Sequence, residues 1–227
     1  MPPYEFGSSV ESKSSLYNGL RLDAIDHLLE REPTMTSKNP DIDYRTFLDS
    51  IDFRNWLSEN VERKEGIWLR IVKKGALEKS VSYAEALDEA LCFGWIDASK
   101  KPLDETSWLQ RFCPRRSKSN WSKINIQHAE RLIQDGRMTP KGQQEIDAAK
   151  SDGRWANAYD SPKTAEPQED LLKELAKHPD AEAFFHKLSG ANRYAILYRL
   201  QTAKRPETRE RRMMAIIEML ANGKTFH

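Results

Sequence analysis

The apolar positions change period along the chain, and each change marks an element. In "LDSIDFRNWLSEN", Ile51, Phe53, Trp56 and Leu57 fall on one side of a helical turn, with Asp49 or Ser50 ahead as a cap. "GIWLRIVKKG" packs β-formers between two glycines and predicts a strand of about seven residues. "SYAEALDEALCFG" gives the clearest helix. Ser82 and Glu85 have the spacing of a capping box, Ala86, Leu87, Ala90 and Leu91 form an apolar stripe, and Gly94 sits where a left-handed cap belongs. "WIDASKK" and "TSWLQRFCPR" flank the turn sequence "PLDE" and predict a hairpin.

Beyond the hairpin the period is helical. Ser122 can cap a helix to Gln134 that Gly136 stops, and Thr139 followed by Pro140 opens another to about Lys150 that Gly153 ends. "DSPKTAEPQED" reads as a linker before "DLLKELAKH", "DAEAFFHKL", "GANRYAILYRLQTAK" and "PETRERRMMAIIEMLANG". On the last of these, Met213, Ile216, Ile217 and Leu220 make the apolar face. Upstream, residues 1–17 are rich in Ser and Pro and predict disorder. "LYNGLRLDAIDHLLER" predicts one short amphipathic helix, and "EPTMTSKNPDID" a linker. The fold class expected is α+β: a small, mostly antiparallel sheet with packed helices, followed by a C-terminal bundle of short helices. The divisions expected are an N-terminal extension over 1–43, a core domain over 44–160 and a helical module over 161–227.

Composition narrows the function classes. The chain has 227 residues, 38% hydrophobic and 31% charged, with a net charge of +1. A near-neutral chain carries no bulk argument for nucleic acid or a membrane surface. The local balance is uneven. Residues 111–131 hold six basic groups against Glu130, and residues 199–212 hold six against Glu207 and Glu210. That pattern suits a small anionic ligand or an acidic protein segment better than a duplex. Cys92 and Cys113 are too few for a disulfide framework and form no CxxC. No apolar run approaches a membrane span, and the first residues lack the pattern of a secretory signal, so a cytoplasmic location is expected. The five histidines show no metal-ligand spacing, and no nucleotide-binding glycine motif occurs; neither a metal nor a cofactor is expected.

Two constellations can carry chemistry. In "ALCFGWID", Cys92, Trp95 and Asp97 lie close together. Cys92 ends a helix, where the dipole disfavours a thiolate, so packing suits it better than nucleophilic work. Asp97 is the one acid–base candidate, without a second acid or a histidine in support. The other is "QRFCPRRSKSNWSKIN", with five basic residues and no acid. A strand end leads through a proline-stiffened basic turn into a capped helix start, whose free N–H groups suit an anion. Arg115, Arg116, Ser119 and Ser122 are the candidate ligands, Trp95 and Trp121 the walls, and Lys73 or Asp97 the edge. A solvated loop whose arginines pair with the chain's own carboxylates is the competing reading, and a nucleic-acid contact a third. In "AKRPETRERR", Arg205, Arg209 and Arg212 can present a basic row or a paired outer face.

In order, "FRNWL", "GIWLRIVKK", "VSYAEALDEALCFGWID", "QRFCPRRSKSNWSKIN", "ERLIQDGRMTPKGQQEIDAAKSDGRW" and "AKRPETRERR" resemble the bacteriocin-protection, YdeI or OmpD-associated family over roughly residues 45–223. The resemblance implies a role in tolerance of bacteriocins and cationic antimicrobial peptides. It carries over no catalytic residue, and Cys113 stands where such members usually have Thr. The function expected is that of a non-enzymatic intracellular protein binding a small anionic ligand or acidic partner. The alternatives are an enzyme acting on a carboxylate- or phosphate-bearing substrate through Asp97, and a weak nucleic-acid binder.

Overall fold

The computed structural model describes residues 42–227. The amphipathic helix and disorder expected upstream lie outside the described residues. Helix α1 (Ser50–Glu59) opens on Asp49, whose carboxylate accepts the Asp52 N–H, and buries Phe53, Trp56 and Leu57. Ile51, expected on the same face, is exposed, because two residues of helix turn it about 160° away from Phe53. Strand β1 (Ile67–Val72) alternates buried and half-buried positions. Helix α2 (Tyr83–Cys92) forms the full capping box between Ser82 and Glu85. Gly94 follows at φ +73°, the left-handed conformation that ends the helix and turns the chain into the sheet.

Strands β2 (Trp95–Pro102) and β3 (Ser107–Pro114) form the expected hairpin. The sheet order is β1-β3-β2, antiparallel throughout, with Ile67 opposite Phe112 and Trp95 opposite Pro114. An irregularity between Asp97 and Lys100 shifts the β2 register. The buried face carries Leu69, Ile71, Trp95 and Phe112 against Phe53, Trp56, Ala90 and Leu91 of the two helices. Trp56 meets Trp95 edge-on at 5.9 Å. The α+β reading of the sequence therefore holds for the described residues.

Helices α3 (Lys123–Gln134) and α4 (Pro140–Ser151) close the first core through Ala129, Leu132, Ile146 and Ala149. The end of α2 and the start of α4 are stitched together: Thr139 donates both its N–H (3.2 Å) and its hydroxyl (2.6 Å) to the Cys92 carbonyl. Beneath this junction the buried Glu89 carboxylate binds Arg54 at 2.7 Å and Arg137 at 2.6 Å. Next to it, Asp88 takes Arg131 at 2.6 Å and His128 at 2.8 Å.

Helices α5 (Glu169–Leu175), α6 (Pro179–Lys187), α7 (Gly190–Gln201) and α8 (Pro206–Ala221) build a second apolar cluster around Leu171, Phe185, Ile196, Leu197, Ile216 and Leu220. The row proposed for Arg205, Arg209 and Arg212 is split. Arg209 grips Asp170 with two nitrogens, at 2.6 and 2.7 Å, and donates to the Leu200 carbonyl. Arg212 donates to the Arg199 carbonyl. Both arginines thus tie α8 to its neighbours. Between the two clusters, Tyr194 donates to the Asp160 carbonyl, and Gln201 exchanges two hydrogen bonds with Asp160.

Candidate functional site

The basic turn after β3 is an ordered piece of backbone. The Arg115 N–H donates to the Gly94 carbonyl at 3.0 Å, so the turn leaves the sheet beside the end of α2. Ser119 closes the turn: its hydroxyl accepts the Arg116 N–H at 3.0 Å, and its own N–H donates to the Arg116 carbonyl at 2.8 Å. From the far side, the buried Arg154 donates to the Ser119 carbonyl at 3.0 Å. Trp121 and Lys123 then exchange backbone hydrogen bonds with Tyr159, which fixes the start of α3.

Arg115 is the unusual member. It is only 7% exposed, yet no carboxylate pairs with it. Its guanidinium carbon lies 3.5 Å from the Trp121 ring centroid, and its Nη1 donates to the Asn120 carbonyl at 3.2 Å. Its Nε and Nη2 are buried without partners, as is Trp121 Nε1. Burial pushes the guanidinium down to about 10, against the weaker pull of Tyr159, Glu145 and Asp97. Buried polar groups are nearly always bonded, and each orphan calls for an explanation.

Arg115 lines a cleft of about 340 Å³ where the end of the sheet meets the end of α2 and the first turn of α4. Arg63, Lys64, Arg111, Arg116 and Lys141 line it as well, against Glu62 and Glu145. The closest ion pair within this set is Lys141 with Glu62, at 3.7 Å and well exposed. Lys64, Arg111 and Arg116 have no ion-pair partner among the described residues. Gly66 lets the walls approach: a Cβ there would lie 2.7 Å from the Phe112 carbonyl oxygen and 2.9 Å from Arg111 Nε. Trp95, Phe93 and Cys113 complete the surface.

Of the residues expected at a site, Arg115, Arg116 and Trp95 come together here. Trp121 stands behind Arg115, outside the lining. Ser119 and Ser122 spend their hydroxyls on the backbone, Ser122 as the α3 cap accepting the Asn125 N–H at 3.1 Å. Lys73 follows the other end of β1, about 20 Å along the strand from Ile67. Its ammonium donates to the Glu105 carbonyl at 2.7 Å. Asp97 does not line the cleft and accepts the Tyr83 hydroxyl at 2.9 Å. Burial raises the Tyr83 phenol and Asp97 adds to the rise, so that proton stays on the phenol. Arg63, Lys64, Arg111 and Lys141 went unassigned in the sequence reading. Arg111 lay inside the quoted basic stretch without a role; for the others the signs were the charge-dense "ERKEG" before a strand and a lysine in the first turn after Thr139-Pro140.

Among the described residues, no cluster of His, Cys, Asp or Glu has the arrangement of a metal site, and no helix is long and apolar enough to cross a membrane. No curated protein and no solved structure matches the chain. Residues 45–145, which hold α1 to α3, the sheet and the cleft, match a family model described only as a domain of unknown function (DUF8412). The motif order quoted above extended the bacteriocin-protection resemblance across this region. The match to that family's model is confined to the helical bundle. Over that bundle, residues 164–223 match the model of the family described as bacteriocin-protection, YdeI or OmpD-associated.

Proposed function

We propose that this is a non-enzymatic intracellular protein that holds a small anionic ligand, bearing phosphate or carboxylate, in the cleft at the end of the sheet. The observation that carries this reading is Arg115: a buried guanidinium with two unpartnered nitrogens and no carboxylate, on the wall of a cleft with six cationic residues and two acids. Holding an unpaired charge out of water is costly, and an anion in the cleft offsets that cost. Arg111 and Arg116 then act as a second rank that attracts the ligand and holds it from the solvent side. Asp97 is engaged by Tyr83 away from this lining, which favours binding over acid–base catalysis. The family description attached to residues 164–223 suggests that such binding serves tolerance of bacteriocins or antimicrobial peptides.

Isothermal titration of the full chain with inorganic phosphate, nucleotides and acidic metabolites tests the proposal. Saturable heat with at least one of them is expected, weakened about tenfold or more by Arg116→Ala combined with Arg111→Ala. Silence across the series, or binding that ignores these substitutions, overturns it. A nucleic-acid reading instead requires retardation of oligonucleotides that falls steeply with salt.

A further inference from the structure

The cleft has one thiol on its wall. Cys113 precedes Pro114 and Arg115 near the end of β3 and is partly exposed, whereas Cys92 is fully buried at the end of α2. The Cys113 side chain stands beside Gly66, where a Cβ would come within 3.0 Å of Cys113 Cβ. Without a side chain, Gly66 packs directly against the stretch of β3 that carries the thiol. Arg111 and Arg116 flank Cys113 in the same lining, and neither has an ion-pair partner among the described residues. An independent observation also points to a ligand here. Arg115, in the same lining, is 7% exposed and leaves Nε and Nη2 buried without partners.

We infer that Cys113 is a site of reversible mixed-disulfide formation with small anionic thiols, the cationic walls selecting the anionic partner. The inference rests on the anion-binding reading of the cleft and adds a covalent step to it. The deprotonated Cys113 Sγ attacks one sulfur of an anionic disulfide. A new bond forms between Sγ and that sulfur, and the original sulfur–sulfur bond breaks. Its electron pair leaves with the other half as a thiolate, and the Cys113 proton goes to solvent or to that thiolate. Cys113 is oxidised to a mixed disulfide while one half of the reagent is reduced to a thiol. A second small thiol reverses the step. The carboxylates of the retained half lie against Arg111 and Arg116, where charge-assisted hydrogen bonds are available, with the buried Arg115 charge behind them. Electrostatic focusing in a cleft with six cationic residues against two acids raises the local concentration of the anionic reagent and so the rate of attack.

The same chemistry leaves Cys92 untouched. Its thiol is buried, and burial pushes its pKa up. It serves as an internal control in every measurement.

The test compares two small disulfides of similar size and opposite charge, dithiodipropionate and cystamine, on the full chain, with glutathione disulfide as a larger anionic probe. Peptide mass spectrometry after timed quenching locates and counts the adducts. The expected result is modification of Cys113 and not Cys92, reversed by dithiothreitol, with the anionic reagent about tenfold faster than the cationic one at low salt. Arg111→Ala with Arg116→Ala, both substitutions at side chains with no internal ion pair, removes the preference and leaves Cys113 present. Cys113→Ser abolishes the adduct. Absence of a Cys113 adduct, or equal rates for the two reagents, overturns the inference. Phosphate binding with no Cys113 adduct sinks the covalent step alone. Equal rates together with a silent phosphate titration sink the anion site as well.

Discussion

At the residue scale, Arg115 and Glu89 show opposite ways of burying a charge. Glu89 is satisfied by two arginines, and Arg115 is stacked on an indole and left with two idle nitrogens. The two arrangements predict different costs of removal. Arg115→Met keeps the contact with the Trp121 ring and deletes the unpaired charge, so stability by denaturant titration changes by less than about 1 kcal/mol while anion binding is lost. A loss above about 2 kcal/mol would make Arg115 a structural residue. At Glu89 the order of damage is informative. Glu89→Ala leaves Arg54 and Arg137, each about one-third exposed, free to rehydrate, and costs about 2 kcal/mol. Arg54→Ala with Arg137→Ala strands the buried carboxylate and costs more, about 3–5 kcal/mol. Equal losses would show that the carboxylate finds water. Little of this was legible in the sequence. Arg115 stood out because it lies in an acid-free run, but its burial depends on Trp121 and Tyr159, which only the fold brings around it. Glu89 reads as one more acid on the polar side of a helix, since its partners come from 35 residues before and 48 after.

At the scale of elements, local signals located the helices and tertiary contacts decided their faces. Capping residues written into the sequence, Asp49, Ser82, Ser122 and Thr139, all cap the helices expected of them. Arg209 reads as surface charge because Asp170, the acid it grips, lies thirty-nine residues earlier. Lys73 belonged to the motif set, yet strand direction carries it to the end of the sheet away from the cleft. The junction of α2 and α4 gives the sharpest element-level prediction. By helix propensity alone, Gly142→Ala adds up to about 1 kcal/mol of stability. Gly142 is instead the point of closest approach. A Cβ there would lie 2.5 Å from Met138 Sδ and still nearer the Cys92 carbonyl oxygen, which is backbone and already accepts two hydrogen bonds from Thr139. The substitution therefore forces the helices apart and lowers stability by about 2 kcal/mol or more. Thermal unfolding of the variant at or above the wild-type temperature would contradict this packing. The same displacement moves Lys141 and Glu145, so phosphate affinity falls with it.

At the scale of the whole molecule, carboxylates distributed over both apolar clusters share one direction of perturbation. Burial opposes ionisation of Asp88, but its bonds to Arg131 and His128 outweigh it and hold the carboxyl below the ordinary 3.8. In the helical bundle, Arg209 holds Asp170 below 3.8 and Lys177 holds Glu174 below 4.5. A carboxyl whose folded pKa lies below its unfolded value binds fewer protons in the native state. Stability from it is complete above the unfolded value, at 3.8 for Asp and 4.5 for Glu, and is lost as pH falls through the lower folded value. The window of loss is therefore acid, opening near pH 4.5 and deepening below 3.8. Each exposed pair contributes little once screened by solvent, so the steepest share belongs to Asp88, the least exposed of these acids. Urea titrations from neutral pH to pH 3 are expected to give a flat plateau and then a fall, with the slope reduced in Asp88→Asn. Asp88→Asn should also lower the neutral plateau, since it removes the charge that Arg131 and His128 share. An unchanged acid slope in this variant would assign the acid response to other carboxylates. Added phosphate should raise the plateau of the wild type more than that of Arg115→Met, because a ligand stabilises only the state that binds it.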